Sequence, residues 1–177
     1  MNRIAKFEKV SLEQFSEDWQ RTVGRELTQT DEELLQYIKE MYEDIKLPAR
    51  ATSGSAGYDF FAPRNFQLLP GQTATIPTGI RVSVEPDWAL WLLPRSGLGF
   101  KYRLQIDNTV GIIDSDYYHS DNEGHIFVKI TNDSKQAKSF TITKGDGFCQ
   151  GIFLPYGITL DDRADGVRNG GFGSTTK

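Results

Sequence analysis

Apolar residues change their spacing along this chain at Pro48, and the change divides it into two kinds of structure. Before Pro48, apolar side chains recur every three or four residues, as they do on one face of an α-helix. One face is formed by Leu12, Phe15, Trp19 and Val23, and a second by Leu34, Leu35, Ile38, Met41, Tyr42 and Ile45. The spacing predicts two helices within residues 11–46, preceded by a short strand at residues 4–10.

The two predicted helices begin with capping signals. Ser11 with Gln14, and Thr30 with Glu33, have the spacing of capping boxes. In a capping box the N-cap hydroxyl and the side chain three residues later bond each other's main-chain N–H groups. The outer face of the segment is acidic, which is typical of a solvated surface rather than a binding site.

After Pro48 the chain consists of short strand-like runs between glycine and proline turns. Residues 80–84 and 126–131 alternate apolar and polar side chains, residues 89–93 are almost wholly apolar, and residues 140–143 form another run. Many short strands at this spacing are typical of a β-barrel or a β-sandwich. Residues 169–177 are too rich in glycine to pack alone, and we expect them to be mobile.

The bulk composition is that of a globular protein and excludes some partners. The 177 residues are 38% hydrophobic and 25% charged, which indicates one domain, with room for an appendage. A net charge of −4 provides no basic surface for long nucleic acid. No apolar run is long enough to span a membrane, and the N-terminus lacks the core of a signal peptide.

The single cysteine fits a reducing compartment, so we expect a soluble cytoplasmic protein. One cysteine cannot form a disulfide within the chain. Cys149 lies in a run with the pattern of a buried strand, and we interpret it as a packing residue rather than a nucleophile.

The stretch around Asp114 combines the groups of a catalytic site. Asp114 and Asp116 follow the sequence Gly111-Ile112-Ile113 and precede Tyr117. We interpret the stretch as the first arm of a β-hairpin that carries Asp114 into a site. An aspartate is ordinarily ionised at neutral pH and could serve as a general base. For this stretch alone a simpler interpretation stays open, an Asx turn in which the aspartate caps its own backbone.

Four further stretches have residue types that suit a phosphate or metal site. Arg95-Ser96-Gly97 combines a cation, a hydroxyl and glycine amides that suit phosphate oxygens. Residues 55–59 lead to the carboxylate of Asp59, and residues 145–150 end in Gln150. The tail offers a cation, an aromatic ring and hydroxyls in Arg168, Phe172, Ser174 and Thr175.

Taken in order, these five stretches resemble the motifs of the trimeric dUTPase family, the dUTP nucleotidohydrolases. The resemblance covers residues 47–177 and includes residues 4–10 as the first strand. It implies an all-β, jelly-roll-like β-barrel in a single domain over residues 1–177. Residues 11–46 would then be an N-terminal two-helix insertion, and residues 166–177 a mobile glycine-rich C-terminal arm.

The resemblance implies a reaction and its partners. A homotrimer would have active sites at its subunit interfaces, and Mg²⁺ would be held mainly by the substrate phosphates. Water would attack the α-phosphorus of dUTP to give dUMP and pyrophosphate. Such an activity limits the incorporation of uracil into DNA and supplies dUMP for thymidylate synthesis.

Roles for individual residues are implied in the same way. Asp114 would be the general base, Tyr117 would pack on the deoxyribose, and Asp59 would lie near the metal through water. The uracil edge would be read by Asn108 and by main-chain groups of Gly111, Ile112 and Ile113. Phosphate contacts would come from Arg95, Ser96, Gly97, Gln150, Arg168, Ser174 and Thr175, with Phe172 stacked on the base.

The chain departs from the family pattern in four places. Gly147 stands where a basic residue is usual, and Arg168 is one residue closer to the Gly-Gly-Phe sequence than is common. Residues 118–123 lengthen the hairpin after Tyr117, and we expect His119 there to face solvent. The helical segment 11–46 has no counterpart and carries none of the five motifs, so we expect hydrolysis without it.

Two other functions are compatible with parts of this pattern. A dCTP deaminase shares the fold but needs a catalytic glutamate on the strand after the hairpin, where this chain has Lys129. A non-catalytic binding module would use the nucleotide site for regulation and the segment 11–46 to contact a protein partner. The complete set of Asn108, Asp114 and Tyr117 favours catalysis, and a second role for the segment stays open.

Overall fold

Antiparallel β-strands form the framework of the fold, and two helices pack against them. The computed structural model describes residues 2–23 and 30–166, together with Arg168 and Gly170. Within these residues the strands are β1 (Ala5–Lys9), β2 (Tyr58–Phe61), β3 (Phe66–Leu68), β4 (Thr73–Pro77), β5 (Ile80–Val84), β6 (Trp88–Pro94), β7 (Leu104–Ile106), β8 (Gly111–Ile113), β9 (Phe127–Asn132), β10 (Phe140–Ile142) and β11 (Gly147–Pro155). The helices are α1 (Leu12–Val23), α2 (Asp31–Glu43), α3 (Ser96–Tyr102) and a 3₁₀-helix (Ser115–His119).

The sheet with the strand order β2-β11-β6-β8 brings separate parts of the sequence together. Its strand β11 pairs with β2 on one side, with Gln150 opposite Asp59. On the other side β11 pairs with β6, with Gln150 opposite Leu93. This register places the ends of the first and fourth stretches beside the strand that leads to Arg95.

The remaining described strands form three smaller sheets, in the orders β4-β9-β7, β1-β5 and β3-β10. Each described strand pair is antiparallel. Strand β1 pairs with β5 along its whole length, with Phe7 opposite Val82. The prediction of an all-β, jelly-roll-like fold is confirmed, and the predicted strand at residues 4–10 is present as β1.

The predicted hairpin arm at Gly111 was wrong. Strand β8 pairs with β6, and the chain after Asp114 turns into the 3₁₀-helix instead of a second arm. Gly111 lies opposite Leu92, and a Cβ at Gly111 would come within 3.1 Å of the Leu92 Cβ. The absence of a side chain therefore permits this long-range pairing, which local alternation does not reveal.

Both predicted helices of the segment 11–46 are present, and they are part of the core. Phe15, Trp19, Ile38 and Met41 are buried in the same cluster as side chains from the strands. Leu35, which the predicted stripe also includes, remains exposed. Among the described residues no helix is both long and apolar enough to cross a membrane.

The two predicted capping boxes differ in outcome. Thr30 and Glu33 form the complete box at the start of α2. At α1, Ser11 Oγ accepts from the Gln14 N–H at 3.1 Å. The Gln14 side chain donates to Asp18 and does not bond the Ser11 N–H, so the box is incomplete. Glu123 accepts from the Ser11 N–H at 2.8 Å, so a distant carboxylate replaces the predicted partner.

Candidate active site

A cavity of about 550 Å³ collects residues of the first, second and fourth stretches. Strands β2 and β11 deliver Asp59 and Gln150, while Arg95 immediately precedes α3. The polar and glycine residues of its lining are Ser55, Gly57, Asp59, Arg95, Ser96, Gly97 and Gln150. A cation, hydroxyls and an amide facing one cavity are suited to phosphate oxygens.

Arg95 is fixed within this cavity by two neighbours. Its Nε lies 3.0 Å from Asp59 Oδ1, and its Nη1 donates to the Gly147 carbonyl at 2.8 Å. Gln150 is fixed nearby, because its Nε2 donates to the Pro94 carbonyl at 2.9 Å. The Arg95 side chain is 39% exposed, so it is held in place and still accessible to an anion.

The departure at Gly147 has a physical explanation in the same cavity. A Cβ at Gly147 would lie 2.8 Å from Nη1 and 3.1 Å from Cζ of Arg95. The guanidinium therefore uses space that a side chain at position 147 would fill. The sequence suggested a lost cationic contact, whereas the structure shows a glycine that accommodates Arg95.

A second cavity, of about 900 Å³, contains residues of the third stretch. Asn108, in the turn between β7 and β8, and Gly111 both line it. Its apolar walls are Leu92, Ile106, Phe127 and Val128. Polar and charged side chains, among them Asp107, Asn122 and Lys129, complete the lining. Apolar walls next to hydrogen-bonding groups suit a flat heterocyclic ring with polar edges.

Strand β8 offers its main chain at the edge of its sheet. Among the described strands it pairs with β6 on one side, and no strand lies on its other side. Ile113 is buried and Ile112 is half exposed, as the alternation along a strand requires. An edge strand has main-chain donors and acceptors available to a ligand, as the resemblance implies for Gly111, Ile112 and Ile113.

Asp114 follows β8 directly and forms an ion pair with the C-terminal part of the chain. Arg168 Nη2 lies 2.7 Å from Asp114 Oδ2, and Arg168 Nε lies 3.3 Å from Asp116 Oδ1. The side chain of Asp114 makes no capping bond at the start of the 3₁₀-helix, so the simple Asx interpretation of this residue was wrong. Its carboxylate points to a cation instead.

Tyr117 is buried beside this ion pair. Its hydroxyl donates to the His125 carbonyl at 2.8 Å and accepts from Asn122 Nδ2 at 2.9 Å. The guanidinium carbon of Arg168 lies 5.6 Å from the centre of the ring. Burial raises the pKa of the Tyr117 hydroxyl, so it remains a hydrogen-bond donor at neutral pH.

The structure thus brings the predicted site residues together in two groups. The described linings of the two cavities have no residue in common. Arg168 lies with the Asp114 group rather than in the cavity of Arg95, and Gly170 lines the cavity of Asn108. Phe172, Ser174 and Thr175 lie outside the described residues.

Comparison with known proteins identifies the family. The model of the dUTPase family matches residues 43–176. The chain belongs to the dUTPase family. The match begins at the last residue of α2, so α1 and nearly all of α2 precede it.

Relatives from several bacteria are identical to this dUTPase-family chain at about two fifths of the aligned residues. The deoxyuridine 5'-triphosphate nucleotidohydrolase of Hahella chejuensis is 42% identical over 145 residues, which are 77% of this chain and 91% of that protein. The enzyme of the same name from Lactococcus lactis is 38% identical over 134 residues, 74% of this chain and 88% of that protein.

Solved dUTPase structures confirm the fold. The crystal structure of dUTPase from Streptococcus mutans is 32% identical and aligns with a TM-score of 0.57, over 66% of this chain and 90% of that one. A mutant dUTPase from phage phi11 of S. aureus aligns with a TM-score of 0.57 at 24% identity, over 70% of this chain and 92% of that one. That phage structure describes the coordination of a structural Mg(II) ion.

The two histidines lie in opposite environments in this dUTPase-family fold. His119 is exposed, as predicted. His125 is fully buried, and its Nδ1 lies 2.6 Å from Oδ2 of Asp18 in α1. No cluster of ligand residues surrounds His125 in the sequence, and its partner is 107 positions away, so no local signal indicates this pair.

Gly57 is a further residue that sequence reasoning passed over. A Cβ at this position would lie 2.5 Å from the side-chain oxygen of Gln150. Its place in the small-residue run 55–57 was the available signal. The glycine leaves room for the amide that faces the phosphate-type cavity.

Cys149 is a packing residue, as predicted. It is buried in β11, and burial raises the pKa of its thiol, so the thiol stays protonated at neutral pH. Lys129, the residue that argues against a dCTP deaminase, has its ammonium group 3.0 Å from Asp107 Oδ2.

The described side chains do not form a metal site by themselves. Among them no group of three or more His, Cys, Asp or Glu residues is arranged to hold a metal ion. Asp59, the carboxylate expected near a metal, is paired with Arg95. These residues fit a cation that takes most of its oxygen ligands from a bound triphosphate, because Mg²⁺ is commonly held by one or two carboxylates, substrate phosphates and water.

Proposed function

We propose that this chain hydrolyses dUTP to dUMP and pyrophosphate by attack of water on the α-phosphorus. Its place in the dUTPase family supports the reaction. The observation that carries the proposal is the position of Asp114, directly after the edge strand β8 whose first residue lines the cavity of Asn108. A carboxylate is thereby set beside a cavity that suits a nucleobase.

The nucleoside would be recognised by main chain and amide together. The Asn108 side chain can donate to and accept from the amide edge of uracil. Main-chain groups of Gly111, Ile112 and Ile113 on the outer edge of β8 would read the same ring. A rigid strand edge leaves little room for a 5-methyl group, which would reject dTTP by steric contact.

The phosphates would be held in the cavity of Arg95. Phosphoryl transfer depends on charge neutralisation and positioning more than on covalent chemistry. Arg95 would supply the cation, and Ser96, Gly97 and Gln150 the neutral donors. The contacts of Arg95 with Asp59 and Gly147 support this role, because they fix the guanidinium before substrate arrives.

Asp114 would orient the attacking water and take its proton. In the structure Arg168 donates to Oδ2 of Asp114. A triphosphate carries more negative charge than one carboxylate. Bound substrate would therefore draw the Arg168 guanidinium towards the γ-phosphate and away from Asp114. Ser174 and Thr175 would add phosphate contacts, and Phe172 would cover the base.

A Mg²⁺ ion is the proposed cofactor, and it would reach the site with the substrate. Asp59 would contact its water shell. When bound, the ion would neutralise charge on the phosphate oxygens. The residues of the chain would then position the triphosphate, through Arg95 and Gln150, against the water that Asp114 orients.

A complete site would be formed between chains of a homotrimer. The separation of the site residues into two cavities without a common described lining residue supports this proposal. If the cavity of Asn108 on one chain faces the cavity of Arg95 on another, both halves meet at an interface. A cytoplasmic location stays a prediction from the single Cys149.

A substrate panel tests the function. The purified chain is incubated with Mg²⁺ and dUTP, dTTP, dCTP or UTP, and pyrophosphate and ammonia are measured. We expect pyrophosphate from dUTP at a much higher rate than from the other three, and no ammonia from dCTP. Ammonia release would favour deamination, and binding of dUTP without release of pyrophosphate would favour a regulatory module.

A further inference from the structure

Helix α1, which precedes the part of the chain that the family model matches, forms part of the nucleoside cavity. Gln14, Glu17 and Arg21 line the same cavity as Asn108 and Gly111. One face of α1 therefore borders the proposed uracil site, while the neighbouring face packs Phe15 and Trp19 into the core. The helix is placed where its movement would change the site.

A buried hydrogen-bonded pair fixes α1 to the strand region. Asp18 and His125 are 1% and 0% exposed, and Asp18 Oδ2 lies 2.6 Å from His125 Nδ1. The Gly79 N–H donates to His125 Nε2 at 2.8 Å, so Nε2 carries no proton and Nδ1 donates to Asp18. The carboxylate also accepts from Gln14 at 2.9 Å and from Arg21 at 2.5 Å.

The same histidine holds Tyr117 through its main chain. The His125 carbonyl accepts the Tyr117 hydroxyl at 2.8 Å, and the His125 N–H donates to the Asn122 carbonyl at 3.0 Å. Asn122 Nδ2 in turn donates to the Tyr117 hydroxyl at 2.9 Å. Asp18, His125, Asn122 and Tyr117 thus form one continuous network from α1 to the ring.

A second contact ties the start of α1 to the same loop. The Glu123 carboxylate accepts from Ser11 Oγ at 2.7 Å and from the Ser11 N–H at 2.8 Å. Glu123 also lies 3.6 Å from Arg81 Nη1, and the Arg81 guanidinium stacks 3.6 Å from the centre of the Tyr118 ring. The loop between Tyr117 and His125 is therefore held from α1 at two points.

We propose that Asp18 is a positioning residue for selection of the 2'-deoxy sugar, acting through His125 on Tyr117. The inference rests on the proposed function and on the role that the family resemblance implies for Tyr117, whose ring would pack on the deoxyribose. Steric exclusion of a 2'-hydroxyl needs the ring held to within a fraction of an ångström. The Asp18–His125 pair supplies that constraint from a helix outside the family match.

The proposal is tested by the ratio of kcat/KM for dUTP to kcat/KM for UTP. This ratio does not depend on the fraction of protein that is folded, so a purely structural defect leaves it unchanged. Asp18→Asn keeps the volume and a neutral acceptor, and Asp18→Ala removes the acceptor. We expect the ratio to fall in the order Asp, Asn, Ala, on the order of tenfold, a typical coupling within one hydrogen-bonded network.

A matched control and a double-variant cycle sharpen the result. Asp44 also joins the helical segment to the strands, through Lys144 at 2.5 Å, but it is exposed and contacts no residue of the Tyr117 loop in the described structure. Asp44→Asn should leave the ratio unchanged. In the background of Tyr117→Ala, Asp18→Asn should lower the ratio no further, because the ring through which it acts is gone.

Other outcomes overturn the proposal or the function separately. A wild-type protein that releases no pyrophosphate from dUTP refutes the proposed function. An active wild type whose Asp18 variants keep the ratio refutes the positioning role alone, as does an additive effect in the double variant.

If no Asp18 variant folds, an NMR measurement on the wild type decides. The His125 Nδ1 proton should shift when the non-hydrolysable α,β-imido analogue of dUTP binds, and much less with the UTP analogue. Binding of the dUTP analogue without that shift would refute the coupling.

Discussion

Arg168 Nη2 lies 2.7 Å from Asp114 Oδ2, so the proposed general base forms an ion pair with a cation of the C-terminal arm. The same guanidinium reaches Asp116, with Nε 3.3 Å from its Oδ1. The bond occupies one of the two carboxylate oxygens of Asp114, and an ionised carboxylate has acceptor sites on both. Arg168 therefore stands beside the proposed base, and Asp114 can still accept from a water through its second oxygen.

Asp114→Asn should bind dUTP almost normally and turn it over far more slowly. Asparagine keeps the shape but cannot accept the proton, and a general base contributes roughly 10²- to 10⁴-fold. Pyrophosphate release under single-turnover conditions gives the rate, and titration with the imido analogue gives the affinity. Asp116→Asn, which also loses a contact to Arg168, is the matched control and should reduce turnover much less. Near-normal turnover of the Asp114 variant would remove it from the mechanism.

Arg168→Ala should weaken binding of the triphosphate but not of dUMP. Hydrogen bonds to charged groups contribute about 1.5–3 kcal/mol, which corresponds to about a 10- to 150-fold loss of affinity. Calorimetric titration with dUMP and with the imido analogue separates the two cases. Equal losses for both ligands would place Arg168 at the nucleoside or at Asp114, and not at the γ-phosphate.

Tyr117→Ala should lower the ratio of dUTP to UTP hydrolysis most, and Tyr117→Phe should lower it about as much as Asp18→Asn does, because it cuts the bond through which Asp18 acts. Alanine removes the ring, while phenylalanine removes the hydroxyl that bonds the His125 carbonyl. Loss of that buried bond should destabilise the phenylalanine variant by about 1–3 kcal/mol. Steady-state kinetics and urea unfolding measure the two effects. If the alanine variant keeps the ratio while both rates drop, the ring has a packing role alone.

Gly147→Ala should raise the KM for dUTP, because the new Cβ would stand 2.8 Å from Nη1 of Arg95. The guanidinium would have to leave the Gly147 carbonyl and lose its fixed position. We expect a several-fold effect, since the far end of a flexible side chain can move. Gly54→Ala is the control, because its Cβ would meet no atom within 4 Å. Equal kinetics of the two variants would contradict the role given to Gly147.

Asp18→Asn should destabilise the fold more at neutral than at acidic pH. Burial alone would raise the pKa of Asp18. The hydrogen bonds from His125 and Gln14 together outweigh burial, so the pKa lies below its ordinary value of 3.8. The folded state therefore binds this proton less tightly than the unfolded state does. Asp18 stabilises the fold above about pH 4, and this contribution is lost as the pH falls through the lowered value.

Urea unfolding of both proteins between pH 7 and pH 3 measures the effect. The difference in free energy of unfolding between wild type and Asp18→Asn should shrink as the pH falls. A difference that is constant over this range would show that folding does not lower the pKa of Asp18.

The helical segment shows how far sequence reasoning can be taken. Its two helices follow from the spacing of Phe15, Trp19, Ile38 and Met41, and the structure confirms them. The sequence suggested that the segment packs separately from the strands. The structure shows otherwise, because these side chains are buried in the same core as side chains of the sheets. Deletion of residues 11–46 would expose that core and leave His125 without Asp18, so the expectation of hydrolysis without the segment loses its basis.

The sequence by itself determined the fold class and the family, and it indicated the candidate site residues. Period-two alternation specifies strands because side chains point to opposite faces of a sheet. The five stretches specify chemistry because the order and types of their residues are local properties of the chain. For the same reason Asp59, Arg95, Asn108, Asp114 and Gln150 are recognisable from the linear order of residues alone.

Only the tertiary structure decided which distant residues meet. The pairing of β8 with β6, the space that Gly147 leaves for Arg95 and the contact of Asp18 with His125 join residues far apart in the chain. Such contacts arise because buried polar groups must find partners and side chains must fill the core without overlap. Those requirements act on the folded chain in three dimensions, and no spacing along the sequence records them.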